Sequence, residues 1–167
     1  MIDMSTRVFF TSDLHFSHAN ILKFESAARP FSSVEEMNRE IITRWNSVVK
    51  AQDLVWVLGD ICLGGKDNIN LLGLLNGRKK LVLGNHDNHS LEVLGKFFEK
   101  VYGVTEYGRG WVLSHMPIHP AAMNRFTLNV HGHMHSKTLD DPRYFNVSLE
   151  THDLYPWRLE EIRERVK

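Results

Sequence analysis

The sequence predicts an α/β fold with mixed strand pairing, two sheets face to face and helices outside. Three observations carry that reading. In the first half, β-branched and aromatic runs alternate with helix-length amphipathic segments. In the second half, short strand-like runs follow one another with no helix-length apolar segment between them. Five polar clusters sit where such runs end: Asp13-Leu14-His15, Gly59-Asp60, Gly84-Asn85-His86-Asp87, Ser114-His115 and His131-Gly132-His133-Met134-His135.

Residues 7–12 (RVFFTS) read as a short buried strand ending at Asp13. Ser32 and Ser33 precede Glu35 and Glu36 in a capping pattern, and Met37, Ile41, Trp45, Val48 and Val49 recur at helical spacing, which predicts a helix over 33–50. Residues 53–58 form a second strand, and Gly64-Gly65 breaks the chain after it. A short helix over 66–75 carries Ile69, Leu71, Leu72 and Leu75 and closes at Asn76-Gly77. Residues 79–83 are a third strand and 90–98 a further helix. Strands over 101–107, 110–114, 127–131 and 144–149 follow, then a last helix over 158–166.

At 167 residues the chain suits a single domain, 1–167, with a core of its own. It carries 43% hydrophobic and 24% charged residues, with 20 basic against 20 acidic side chains. A formal charge of zero supplies no long-range positive field towards nucleic acid. Cys62 is the one cysteine, which excludes an internal disulfide and a multi-cysteine zinc site. The start of the chain is too polar for a signal peptide, and no apolar run approaches a membrane span. These features point to the cytoplasm. The compositional outlier is histidine: of ten in the chain, six lie in the five clusters.

In α/β sheets ligands bind beyond the carboxyl ends of strands, where loops distant in sequence converge. Asp13, Asp60, Asn85 and His115 all occupy that position. Gly59, Gly84 and Gly132 permit tight turns and close backbone approach beside them. Asp13 and His15, two apart in an extended strand end, point to one face and can chelate one ion; His133 and His135 share that spacing and that consequence. Asp60 has two oxygens with which to bridge two ions, Asn85 offers a carbonyl oxygen and His115 an imidazole. The set suffices for two ions about 3.5–4 Å apart, a pair that makes water a nucleophile near neutral pH and clamps an in-line displacement at phosphorus. Mixed nitrogen and oxygen donors suit Mn, Fe, Zn or Ni, with Mn favoured, and argue against all-oxygen Mg or Ca sites.

In order, D-x-H, G-D, G-N-H-D, a lone histidine after a strand and G-H-x-H resemble the motif set of the calcineurin-like metallophosphoesterases. The resemblance covers essentially the whole chain. It implies a four-layer αββα sandwich with two mixed β-sheets and a dinuclear centre. By motif, Asp13, His15, Asp60 and His135 would hold one metal, and Asp60, Asn85, His115 and His133 the other. His86 would contact the phosphoryl group and protonate the leaving oxygen, and Asp87 would orient His86. The first motif continues as His15-Phe16-Ser17-His18-Ala19-Asn20-Ile21, which is similar to a small capless subset of the family and puts His18 at the phosphate pocket.

The leading expectation is a metal-dependent phosphoester hydrolase: a hydroxide held between the ions attacks phosphorus while His86 delivers a proton to the departing oxygen. Small phosphodiesters or nucleotides are favoured, because a monoester would reward more Arg or Lys than the motif loops carry. Arg125 is the nearest basic residue on its loop and the candidate phosphate clamp. The alternatives are a nuclease or nucleic-acid end-processing phosphatase and a non-catalytic metal-binding interaction module. Intact ligand positions and an intact His86 weigh against the module. His131 reads as packed behind the cluster, Cys62 as buried, and His119 as a loop residue that can reach substrate.

Overall fold

The computed structural model describes residues 6–63 and 67–166. The chain break read at Gly64-Gly65 and the polar residues 1–5 lie outside them. Nine strands form two mixed sheets among the described residues. Strands β1 (Val8–Thr11), β2 (Leu54–Val57), β3 (Arg78–Val82), β4 (Lys100–Tyr102) and β9 (Trp157–Arg158) make the first, in the order β4-β3-β2-β1-β9. Its neighbours are parallel except β9, which runs antiparallel to β1. Strands β5 (Thr105–Tyr107), β6 (Trp111–Leu113), β7 (Leu128–His131) and β8 (Tyr144–Asn146) make the second in sequential order, with β5 antiparallel at its edge.

The two faces of the first sheet bury different cores. Phe9, Val55 and Leu81 point outward against the helical layer, where they meet Met37, Ile41 and Trp45. Phe10, Trp56 and Val82, one residue on, point inward and meet Leu113, Leu128 and Val130 of the second sheet. Strands buried on both faces read as near-continuous apolar runs, as 53–58 does. The helical layer comprises α1 (Ile21–Phe24), α2 (Val34–Val48) and α3 (Leu91–Leu94). Helix α2 starts where the serines predict, with Ser33 Oγ accepting from the Glu36 N–H at 3.1 Å. Helix α4 (Leu159–Arg165) adds Leu159 and Ile162 to the inter-sheet core. Outside the second sheet the layer is thin: a loop with a 3₁₀ turn at Pro120–Ala122, pinned where the Ile118 N–H donates to Asn129 Oδ1 at 2.9 Å. Among the described residues no helix is long and apolar enough to cross a membrane.

Three elements differ from the sequence expectation. Residues 101–107 are not one strand: the chain leaves the first sheet after Tyr102, turns at Gly103-Val104 and enters the second sheet at Thr105. The expected helix over 66–75 is a 3₁₀ segment, Asn68–Leu74. Its buried side chains, Ile69 and Leu72, are three apart, and Leu75 follows three later, which matches a three-residue turn rather than 3.6. The expected helix over 90–98 is a single turn, ended at Gly95. Helix α1 and the two-residue β9 are too short to show a period and were not expected.

At the amino ends of β1 and β2, away from the clusters, Asp53 is fully buried. It accepts from the N–H groups of Arg7 (3.2 Å) and Lys50 (2.7 Å) and from the Arg7 guanidinium. Burial opposes ionisation, yet these donors hold the carboxyl below its ordinary range. Such a group stabilises the fold above its unfolded pKa, near about 3.9, and loses that contribution as pH falls through the lower folded value. Asp53→Asn is therefore expected to cost about 1–3 kcal/mol in urea unfolding at neutral pH. The deficit should shrink in strongly acidic buffer, and a pH-independent deficit would contradict the assignment.

Candidate metal centre

The carboxyl ends of β1, β2, β3, β6 and β7 bring their loops to one place, and backbone bonds lace those loops together. Asp13, His15 and Phe16 donate N–H groups to the carbonyls of Gly59, Asp60 and Ile61 at 3.0, 3.0 and 3.1 Å. Gly132 donates to the His115 carbonyl at 2.9 Å, and Ser12 to Val147 at 3.1 Å, tying one sheet to the other. Side chains are excluded where the loops cross. A Cβ on Gly59, whose φ is +91°, would lie 2.6 Å from both Gly84 Cα and His115 Nδ1, and one on Gly132 would strike the Ser12 hydroxyl and Asp13 carboxylate.

Ligand atoms of Asp13, His15 and His135 lie within 4.8 Å of one another, and so do those of Asp60, His115 and His133. Asp60 stands between the groups, its Oδ2 3.5 Å from His15 Nε2 and 3.4 Å from His115 Nε2. Asn85 adds to the second group, with Oδ1 3.0 Å from His115 Nε2. His133 Nδ1 is 3.2 Å from the same nitrogen.

These atoms meet lone pair to lone pair. His115 Nδ1 lies 2.7 Å from the Leu58 carbonyl and must donate to it, which leaves Nε2 unprotonated in the neutral ring. That nitrogen then faces only acceptors: Asp60 Oδ2, Asn85 Oδ1 and, in its matching tautomer, His133 Nδ1. His135 Nδ1 is likewise committed to Glu150 Oε1 at 3.1 Å, so its Nε2 is free towards Asp13 Oδ1. Asp13 Oδ2 accepts from the Ser12 and Ser148 hydroxyls (2.6 and 2.8 Å) and from the His133 N–H (2.9 Å). Its other oxygen, Oδ1, and His15 Nε2 are buried without a hydrogen-bond partner. Converging acceptors and orphaned buried atoms are costly unless a cation sits among them, and this donor set fits divalent ions of intermediate hardness.

Electrostatics agree. Burial would raise the pKa of Asp13 and Asp60, but the surrounding imidazoles hold both carboxyls below the usual range. For His115 and His135, burial favours the neutral ring and is outweighed by Asp60 and Asp13 at the one and by Glu150 and Asp13 at the other, so both pKa values rise. The site thus attracts positive charge. Burial and the neighbouring His115 push His133 down.

The backbone that presents these side chains is not extended. Asp13, His15, Asp60, His133 and His135 all have positive φ, between 47° and 68°. Asp and His tolerate the left-handed region better than most residues, and such strain gathers at functional sites. The alternation argument for i, i+2 pairs therefore does not apply. Asp13 and His15 do share a group, through turns rather than strand geometry. His133 and His135 do not: residues 132–137 turn back on themselves, with the Met134 N–H bonded to Gly132 at 2.8 Å, and the two rings go to different groups. Their expected joint chelation of one ion is corrected accordingly, in favour of the split that the motif resemblance implies.

His86 and His18 line the cavity of about 880 Å³ that opens over both groups, with His15, His133 and His135 at its floor. His86 is fixed through its backbone, whose N–H donates to Asp60 Oδ1 at 3.0 Å. Asp87 does not orient the His86 ring. Its two oxygens accept the N–H groups of Asp60, Ile61 and Gly84 at 2.9, 2.9 and 2.8 Å, so it clamps two motif loops together. His18 Nδ1 is 3.2 Å from His15 Nδ1. Arg125 is not brought to the site: it is exposed and pairs with Glu106 at 3.2 Å, drawn there by an opposite charge on β5. His119 caps the Pro120–Ala122 turn.

Sequence reasoning missed the support behind the first group. Arg29 is fully buried. It donates from Nε to Glu150 Oε1 (2.7 Å) and from its terminal nitrogens to the Asp13 and Leu14 carbonyls (2.5 and 3.1 Å). One cation thus holds both the carboxylate that orients His135 and the strained backbone of Asp13. The pair is separated by 121 positions and belongs to no motif. The only available signal was Glu150 directly after the last strand-like run. Lys137, two residues past His135, was also missed and lines the cavity.

Partners that orient a ligating histidine typically matter about 10–100-fold in metal affinity. Glu150→Gln is therefore expected to weaken Mn²⁺ binding at the Asp13 group by about that factor in calorimetric titration. The far-UV circular dichroism should persist; an unchanged isotherm would remove Glu150 from the site. Gly132→Ala should weaken Mn²⁺ binding in the same titration, since its methyl group would strike the Ser12 hydroxyl and the Asp13 carboxylate.

The sequence model of the calcineurin-like phosphoesterase family matches residues 6–165. The uncharacterized protein MJ1445 of Methanocaldococcus jannaschii is 41% identical over 144 residues, covering 84% of this chain and 76% of its own. The gene 66 protein of Mycobacterium phage D29 is 34% identical over 198 residues, covering 96% of each. Among solved structures, protein AQ665 of Aquifex aeolicus, described as of unknown function, superposes with a TM-score of 0.76 at 28% identity, covering 95% of this chain and 98% of that one. Both the matching span and the acceptor-lined crossing of five strand ends lead to one conclusion: the chain belongs to the calcineurin-like phosphoesterases, metal-dependent hydrolases of phosphate esters.

Proposed function

We propose that this protein is a dinuclear phosphodiesterase, a single capless domain acting on small diesters in the cytoplasm. The observation that supports it most directly is the position of Asp60 Oδ2, 3.5 and 3.4 Å from one histidine of each group. In this reading Asp13, His15, His135 and Asp60 hold one ion, and Asp60, Asn85, His115 and His133 the other. Mn²⁺ is favoured for the mixed nitrogen and oxygen set. Two such ions supply Lewis acidity: they make water nucleophilic near neutral pH and take up phosphoryl charge.

The chain's own groups do the rest. His86, exposed on the cavity wall, holds a proton on its imidazole and passes it to the departing oxygen. Asp87 keeps the loop that carries His86 in register with Asp60. His18 lies against His15 and faces the phosphoryl group from the other side. The preference for diesters rests on charge. Lys137 is the one Lys or Arg among the described residues lining the cavity, which suits a singly charged phosphate better than a doubly charged one. The cytoplasmic placement rests on Cys62, a free buried thiol whose pKa burial pushes up to about 12.

Mn²⁺-loaded protein is expected to hydrolyse bis-p-nitrophenyl phosphate with a higher kcat/KM than p-nitrophenyl phosphate. His86→Ala should lower kcat by about 10²–10⁴-fold with both metal equivalents retained. Asp60→Asn should lose metal and activity together. Inert wild-type protein, or an Asp60→Asn variant with full activity, sinks the proposal. Hydrolysis of single-stranded DNA that collapses with added salt would shift it to the nucleolytic alternative.

A further inference from the structure

The cavity over the two groups has histidines at its floor, and its other lining is Ile21, Phe24, Leu63, Met116, Pro117 and Met134 together with Glu25 and Lys137. The exposed Phe24 and Met116 stand at its mouth. Phe24 is 73% exposed and Met116 50% exposed, although large apolar side chains normally avoid water. Both therefore present unpartnered apolar surface, and both do so on this one cavity.

Phe24 is not a loose surface residue. Helix α1 grows directly out of the first motif: the His18 N–H bonds to the His15 carbonyl at 3.1 Å, Ile21 to His18 at 3.2 Å, and Phe24 to Asn20 at 3.1 Å. Ile21 is 2% exposed and anchors the turn in the core. The backbone that carries the ring is thereby held at a set position relative to His15. A phosphoryl group seated on the floor can send its organic substituent out past this wall. A hydroxylated or short alkyl substituent gains little there. A flat ring gains an aromatic face on Phe24 and polarizable thioethers on Met116 and Met134.

We propose that the mouth is a substituent subsite that selects phosphoesters bearing an aromatic or heteroaromatic ring, with Phe24 as its stacking platform and Met116 as the opposing wall. This rests on the phosphoesterase reading of the floor and adds the substrate class to it.

The test is calorimetric binding of non-hydrolysable phosphonates to the Mn²⁺-loaded protein, which needs no turnover. The set is methyl-, phenyl-, benzyl-, 2-phenylethyl- and cyclohexylmethylphosphonate, so that reach and flatness both vary. At least one aryl member should bind about tenfold more tightly than methylphosphonate, and benzyl more tightly than cyclohexylmethyl. Phe24→Ala should bring the aryl-to-methyl ratio to about one, and Met116→Ala should reduce it by about half that logarithmic gap. Equal affinity for all members, equal affinity for the flat and the puckered ring, or a ratio that survives Phe24→Ala overturns the subsite while leaving the floor as proposed. Failure of every phosphonate to bind overturns the subsite, and the floor with it if the same preparation leaves bis-p-nitrophenyl phosphate unhydrolysed.

Discussion

Asp60 is the point on which the structure turns. Its carboxylate is almost fully buried, and both oxygens are committed. Oδ1 receives the His86 N–H, while Oδ2 faces one imidazole from each group. A carboxylate so placed is tolerable only if positive charge comes to it, and the raised proton affinity of His115 and His135 expresses the same demand. Gly59 and Gly84 make the approach possible, since a side chain at either would occupy the space of the neighbouring loop. The two sheets, the short loops and the glycines all serve to bring one negative group within reach of histidines from three strand ends.

Holding that arrangement takes polar groups that never face the cavity. Asp87 gathers three backbone N–H groups from two loops. Ser12, Ser148 and the His133 N–H saturate one oxygen of Asp13 and leave the other turned inward. Arg29 and Glu150 form a buried ion pair that reaches His135 on one side and the Asp13 carbonyl on the other. Each satisfies a group that would otherwise be a buried orphan, and together they keep five residues in left-handed backbone conformations. The groups are not equivalent. The Asp13 group has an anion behind its outer histidine, whereas His115 leans on the neutral Leu58 carbonyl. The two groups are therefore backed differently, the first by the Arg29–Glu150 ion pair and the second by a neutral carbonyl.

Much of this was legible in the chain itself. Strands over 7–12, 53–58 and 79–83 announced themselves because they are buried on both faces, and helix α2 because its apolar residues keep a strict period behind a serine cap. The residues of the two groups were legible because donor types for metals stood at strand ends, in an order with a family resemblance. Their geometry was not. The spacing rule for extended chains paired His133 with His135, and the positive φ at both sends them apart. Proximity in sequence drew attention to Arg125, which Glu106 holds elsewhere. It offered no reason to look at Arg29.

Local chemistry, then, was the sequence's own contribution: which segments are buried, which side chains can bind a cation, which glycines must stay small. Those properties depend on near neighbours and on composition, and a linear chain displays them. The switch between sheets at Gly103, the separation of His133 from His135 and the contact between Arg29 and Glu150 depend on backbone turns and on partners far along the chain. Only the folded arrangement, in which burial forces every polar group to find a partner across any distance in sequence, could decide them.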